Sequence, residues 1–429
     1  MEKKVGIETF FTDTPGVGGR IKVYPEDFYV IEDIELPHLK DGDYAVAKVW
    51  SRNWETNRLI QKLASELGIS RNDIAFSGTK DKRAITIQWM SFKADAERLD
   101  DIELKDVKIT DTMTSHRSLH LGIHRGNDFR IVIRNMDVDD EQAKEIADST
   151  GQIIMEKGGF PNWFGIQRFG ALRPITHEVG RYIVRSDYEK AVKSYIANPM
   201  DAENEDCREA RQFLEDTWDY EEALKIYPGN LYFEKTMIKY LKDHPEDYIG
   251  SLKKLPRNLR TMFVHAYQSY LFNRMVSIRL KEGYPLNDVL VGDIILPADR
   301  SGLPNKDTSV EVTEKNIGKA SEMVKKNKAY VSAPLVGAHT EFSKGIQGEI
   351  EKKVIDEENI KREDFIVPEL RDVSSTGTRR EVLSMVRDLT WELDRGGLKL
   401  EFGLNKGCYA TTLLREFMKL PSSKIVRYS

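Results

Sequence analysis

The sequence predicts an α+β protein in which one domain is interrupted by another, and three stretches carry that prediction. Roughly the first 180 of the 429 residues alternate strand-like and helix-like segments. The middle, from about Ser186, turns to long charged helical runs, and the end returns to a strand, a turn and a helix. The expected division is residues 1–185 and 385–429 for one split domain and 186–384 for the segment that interrupts it. A chain of this length exceeds the usual domain of about 100–200 residues, so two domains are the natural expectation.

Each element follows from local pattern. "GRIKVYPEDFYVIEDIEL" alternates on both sides of a Pro25-Glu26-Asp27 turn, and "DYAVAKVW" reads as a second strand. "WETNRLIQKLASELGIS" puts Leu59, Ile60, Leu63 and Leu67 on one helical face and stops at Gly68. "DIAF" leads into the loop "SGTKDKRA", and "AITIQWMSF" leaves it with Ile85, Ile87 and Trp89 on one face and Thr86, Gln88 and Met90 on the other. "FRIVIR" points Phe129, Ile131 and Ile133 one way and Arg130, Val132 and Arg134 the other. A helix over "DDEQAKEIADSTGQIIMEKG" and the aromatic block "GGFPNWFGIQRFG" follow. In the middle, "NEDCREARQFLEDTWDYEEALKIY" and "NLRTMFVHAYQSYLFNRMVSIRL" read as helices, the second repeating apolar residues at Val264, Tyr267, Leu271, Met275 and Ile278. "DVLVGDIIL" and "KAYVSAPLVGAH" read as strands before a charged stretch from Lys344 to Asp364. The end, "LKLEFGLNKGCYATTLLREFMK", completes the pattern.

Composition narrows the function. Hydrophobic residues at 40% and charged ones at 31% describe a folded globular chain rather than a disordered one. A net charge of −5 argues against a generic polyanion coater, so any nucleic-acid role must rest on a local basic surface. Two distant cysteines, Cys207 and Cys408, give neither a disulfide framework nor a metal pair. No apolar signal region and no run of 18 apolar residues is present, so a cytoplasmic protein without a membrane partner is expected.

Three constellations carry chemistry. In "SGTKDKRA" one carboxylate, Asp81, lies among Lys80, Lys82 and Arg83. A P-loop would need a second glycine before its lysine, and an aspartyl-phosphate motif would put the acid before the threonines, so neither fits. A carboxyl with three cationic neighbours is expected to be ionised, which suits a nucleophile or base better than a general acid. The cations could pair with it or face phosphates. In "PNWFGIQRFG", Trp163, Phe164 and Phe169 interleave with Asn162, Gln167 and Arg168, offering stacking faces and edge readers for an unstacked base. In "SHRSLHLGIHRGN", His116, His120 and His124 lack zinc-like partners and Gly122 interrupts a helical register. A basic edge for RNA, with His124 and Arg125, is expected there rather than a metal.

Together "IKVYPEDFYVIE", "FSGTKDKRAITIQW", "GIHRGNDFRIVIR", "PNWFGIQRFG" and "GCYATTLLREF" strongly resemble the TruD family of tRNA pseudouridine synthases, in the family's order and from both ends of the chain. The resemblance implies the pseudouridine synthase fold, a mixed, largely antiparallel sheet with flanking helices, interrupted by an α/β insertion specific to the family. It implies isomerisation of uridine at position 13 of tRNA, with no cofactor and no metal, and Asp81 as the catalytic carboxylate. By the same resemblance Phe28, Asn162 and Tyr409 contact substrate, Tyr409 standing where some relatives have Phe. Phe164 would lie against the target base and Lys22 would be the cation near Asp81. Lys80, Lys82, Arg83, His124, Arg125 and Arg168 are candidate RNA contacts. Two other classes remain, an RNA-binding protein in which catalysis is secondary and a metal- or nucleotide-dependent enzyme. Asp81 separates the first from the synthase, and chelator or ATP dependence the second.

Overall fold

The computed structural model describes residues 2–36, 42–420 and Lys424. Contacts divide the chain into two compact units, one from Phe10–Phe160 with Ser384–Leu420, the other from the residues up to Thr9 with Pro161–Leu383. Of the expected segment 385–429, residues 421–423 and 425–429 lie outside the described ones. Among the described residues no helix is long and apolar enough to cross a membrane.

In the first unit the strands are β1 (Phe28–Asp33), β2 (Tyr44–Arg52), β3 (Ile74–Phe76), β4 (Ile85–Phe92), β5 (Val107–Ser115), β6 (Gly126–Arg134), β7 (Val386–Leu393) and β8 (Gly397–Asn405). The helices are α1 (Thr56–Leu67), α2 (Asp140–Glu156) and α3 (Ala410–Met418). The sheet order is β7-β8-β6-β1-β4-β2-β5, with β3 also on β4. The sheet is mixed because β1 runs parallel to β4, whereas every other pairing in it is antiparallel.

α1 forms because its apolar residues fall on one face and both ends are capped. The Glu55 carboxylate accepts from the Asn57 and Arg58 amides, and Gly68 closes the helix at φ 61°, where a side chain would be strained. Leu59, Ile60, Leu63, Ala64 and Leu67 pack on Ala45, Ala47 and Val49 of β2 and Met90 and Phe92 of β4. α2 covers the same unit farther along, packing on β7. The opposite sheet face is solvated by cations laid over rings, Lys48 over Trp89 at 5.3 Å and Arg130 over Tyr29 at 5.5 Å. Those cations are paired in turn, Lys48 with Asp111 and Arg130 with Glu401.

Sequence pattern and structure differ in three places. The stretch before the Pro25 turn is not a strand, because Lys22 sits at φ 55° and breaks the extension after the single bridge of Arg20 to Arg134. The charged run after Asn204 is two helices, Glu205–Thr217 and Tyr220–Ile226, separated where Trp218 adopts φ 50°. β5 and β7 carry no clear apolar alternation; they are the two edges of the sheet, where polar residues are favoured.

Helix Arg257–Lys281 is the axis of the second unit, burying Phe263, Val264, Tyr267, Leu271, Phe272, Met275 and Val276. Helix Thr176–Val184 packs along it, so the compact unit begins at Pro161, earlier than the change of composition near Ser186. A four-stranded antiparallel sheet runs in the order Thr378–Glu381, Ala329–Leu335, Ile294–Pro297, Val310–Glu311. Arg279 and Asp293 form a buried pair at 2.6 Å with both side chains fully covered.

His177, on helix Thr176–Val184, stacks on Tyr270 at 5.1 Å and meets the Phe169 ring edge-on at 5.2 Å. Burial, and then the charge of Arg181, pushes its imidazole down to about 3. An unfolded histidine takes up its proton near about pH 6.5, so between these values the unfolded chain binds more protons and stability falls as pH is lowered, by about 1.4 kcal/mol per unit. His177→Phe keeps the stacking and removes the proton site. Its thermal unfolding temperature is expected to fall less steeply than that of the parent between about pH 6.5 and 4, and an unchanged slope would assign the acid sensitivity elsewhere.

Candidate active site

The Asp81 loop is fixed by a break in the sheet. β2 pairs with β4 along its whole length, so β1 and β3 share the other edge of β4. β1 pairs there only through Ile87, and β3 only from Met90 onward. Glu32, at the end of β1, fills the gap with its side chain. Its Oε2 accepts from the Trp89 amide at 3.0 Å, and its Oε1 accepts from Lys80 Nζ at 2.6 Å and from the Ser77 hydroxyl. The carboxylate is fully buried and the Lys80 side chain is 6% exposed. Lys80 is held by its backbone as well, since its amide donates to Thr56 Oγ1 at 2.9 Å and its carbonyl accepts from the same hydroxyl at 3.4 Å.

Asp81, the next residue, turns outward with its side chain 54% exposed, and its Oδ1 accepts from Lys22 Nζ at 2.9 Å. Lys22 is itself buried, with its ammonium 4.3 Å from the centre of the Phe28 ring. Phe28 meets Phe129 edge-on, and Phe129 stacks on Phe402 at 5.3 Å, so the cation rests on a wall of packed rings. A buried lysine in the left-handed region costs both desolvation and backbone strain, and such costs gather at functional sites. On the far side of the loop the Arg83 guanidinium donates to the Val23 carbonyl at 3.0 Å, while Lys82 is exposed.

A neighbouring loop and the C-terminal turn support this arrangement. The Gly122 amide donates to the Ser77 carbonyl at 2.8 Å, and Lys406 Nζ donates to the Gly122 carbonyl at 2.8 Å. The Lys406 amide donates to the Arg125 carbonyl, and the Arg125 amide to that of Asp33. The Arg125 guanidinium pairs with Glu35. His124 lies against Gly78, where an added Cβ would come within 3.3 Å of its Cε1. Burial first, and then the Lys80 charge, push His124 below the usual histidine range, so it is neutral near pH 7. Tyr409, half-buried, opens α3, its carbonyl accepting from the Thr412 amide and hydroxyl.

Asn162, Phe164 and Arg168 belong to the second unit and form a cluster there. Asn162 Nδ2 donates to the carbonyl and the side chain of Glu381 at 3.0 and 2.9 Å, and its Oδ1 accepts from Arg380 at 2.6 Å. Phe164 meets Phe272 edge-on, with the Arg380 guanidinium 4.1 Å over its ring and Arg168 at 5.8 Å. Among the described residues no group of three or more His, Cys, Asp or Glu is placed to hold a metal ion.

Comparison with known proteins decides the family. The family model for tRNA pseudouridine synthase D (TruD) matches residues 4–417. The chain belongs to the TruD family. It is 45% identical to the "Probable tRNA pseudouridine synthase D" of Methanococcoides burtonii over 99% of this chain and 98% of that one. It is 38% identical to the protein of the same name from Thermococcus onnurineus over 96% and 97%. A crystal structure from Methanosarcina mazei, named for tRNA pseudouridine synthase D (TruD), superposes with a TM-score of 0.89 at 42% identity, covering 98% of each chain. TruD proteins are isomerases that convert uridine in tRNA to pseudouridine.

In this TruD chain the structure gathers Lys22, Phe28, Asp81 and, behind them, Lys80 and His124 in the first unit. Lys80 pairs with Glu32 and Lys22 with Asp81, a buried carboxylate needing a counter-charge more than an exposed one does. Glu32, Thr56, Ser77 and Arg380 were not singled out by sequence. A signal existed for Glu32, since alternation in "FYVIED" puts it on the apolar face with Phe28 and Val30, where a lone acid requires a partner. Thr56 and Ser77 carry no such signal. Lys22→Met keeps the aliphatic stem over Phe28 and removes the ammonium. Pseudouridine formation is expected to fall about 10- to 100-fold, the worth of a charged hydrogen bond of about 1.5–3 kcal/mol, with tRNA affinity within about threefold. Tritium release from labelled tRNA and filter binding check this, and an unchanged rate would remove Lys22 from the chemistry.

Proposed function

We propose that this chain isomerises uridine to pseudouridine at position 13 of tRNA, with Asp81 as its catalytic carboxylate and without a cofactor or metal. The observation that carries the reading is the exposed Asp81 carboxylate held 2.9 Å from a buried ammonium on a loop tied at both sides. The reaction breaks the bond from C1′ to N1, turns the uracil and joins C1′ to C5. C5 loses a proton and N1 ends with one, so the step is redox-neutral and needs no co-reactant. An accessible, pre-oriented carboxylate can serve as nucleophile or base in that sequence, and its fixed position spares reorganisation when charge develops.

The motif blocks support position 13 and the remaining assignments. Phe28, Asn162 and Tyr409 contact substrate, and Phe164 offers a ring to the target base, stacking being worth about 1–3 kcal/mol against the few that unstacking costs. Lys82, Arg83, His124, Arg125 and Arg168 face the RNA, whereas Lys80 holds the loop. The catalytic domain is residues 1–185 with 385–429, and the inserted segment, residues 186–384, helps to clamp the tRNA. The enzyme works in the cytoplasm, where its substrate is found.

Mass-spectrometric or carbodiimide mapping of tRNA incubated with the purified protein tests the reading. Pseudouridine is expected at position 13, with full activity in EDTA and no nucleotide. Asp81→Asn is expected to form none while its tRNA affinity changes by less than about tenfold, because the base is bound by other residues. Modification confined to another site would overturn the assigned position, and turnover by Asp81→Asn would overturn the assigned residue.

A further inference from the structure

We infer that Glu32 is a positioning residue for the reaction, acting through Lys80 to hold the backbone from which Asp81 projects. The inference rests on the reading of Asp81 as the catalytic carboxylate and goes beyond it to what fixes that group. β4 leaves the Trp89 amide facing a gap between the end of β1 and the end of β3, and Glu32 Oε2 fills it. A neutral amide could accept that one bond. The charge of Glu32 has a different use, because it draws the Lys80 ammonium into a site where both side chains are nearly or fully covered.

The consequence is geometric. Glu32 ties the loop at Ser77 and again at Lys80, the residue before Asp81. Thr56, at the start of α1, holds both the amide and the carbonyl of Lys80. After Asp81, Arg83 is tied to the carbonyl of Val23, adjacent to Lys22. Among the described residues the Asp81 side chain bonds Lys22, and otherwise it depends on these tethers. Misplacement of a reacting group by about 1 Å costs on the order of a hundredfold in rate, so a carboxylate that never touches the RNA controls the chemistry through the loop.

The test separates positioning from folding. In Glu32→Gln the Lys80 ammonium is buried without a counter-charge, and both the unfolding temperature and kcat are expected to fall, kcat by about 10- to 100-fold with KM for tRNA within about threefold. Adding Lys80→Met removes the stranded charge. The double variant is expected to regain thermal stability while its kcat stays as low as that of the single variants rather than at the product of their losses. Recovery of kcat together with stability would overturn the inference, because Glu32 would then matter only to folding. If the double variant does not fold, Ser77→Ala decides, since it removes one tether without exposing a charge. A lower kcat at unchanged KM and unfolding temperature supports the inference, and a parental kcat overturns it. Turnover by Asp81→Asn is a separate result, which would sink the catalytic reading itself.

Discussion

A sheet edge with a missing rung is the constraint on which the first unit depends. Two strands meet end to end along β4 and leave one backbone amide between them, and the fold closes that gap with a side chain instead of a third strand. The choice of a carboxylate brings its own requirement. A buried anion must be paired, and the ammonium that pairs with it comes from the loop that joins one of those strands, β3, to β4 itself. Sheet continuity and loop geometry are therefore one problem with one solution.

Two carboxylates within this small region show how environment divides labour. Among the described residues the Glu32 carboxylate accepts three hydrogen bonds and its side chain is fully covered, whereas Asp81 is half-exposed and bonded to the Lys22 ammonium. The first is spent on structure and the second is left available, a division that recurs where paired acids serve different ends. The ammonium beside Asp81 is unusual in its own right. Lys22 accepts burial, a left-handed backbone and a perch on Phe28, all of which restrict where its charge can go.

How much of this could be read from the sequence depended on whether the signal was local. α1, β4 and β6 followed from local pattern, α1 because it buries one apolar face against the sheet. The loop "SGTKDKRA" was visible as a charged turn with one acid, and the aromatic block around Asn162 as a candidate reader of bases. The edge strands β5 and β7 were not visible, since nothing apolar marks a strand that is covered on one side only. Nor were the partners of Lys80. Three cations around one acid look alike until the fold decides that one points inward, another to a backbone carbonyl and the third to solvent.

The position of β8 has a consequence for how the protein is made. Arg134 of β6 pairs with Gly397 of β8, and Gly126 with Asn405, so that edge of β6 has no mate until residues 397–405 have left the ribosome. At about 5–20 residues per second the wait is on the order of tens of seconds. The intervening chain, Pro161–Leu383, contains most of a compact unit that can organise itself during the delay. The first unit thus closes only after Pro161–Leu383 has been made, and an open strand edge must be kept from pairing with other chains in the interval.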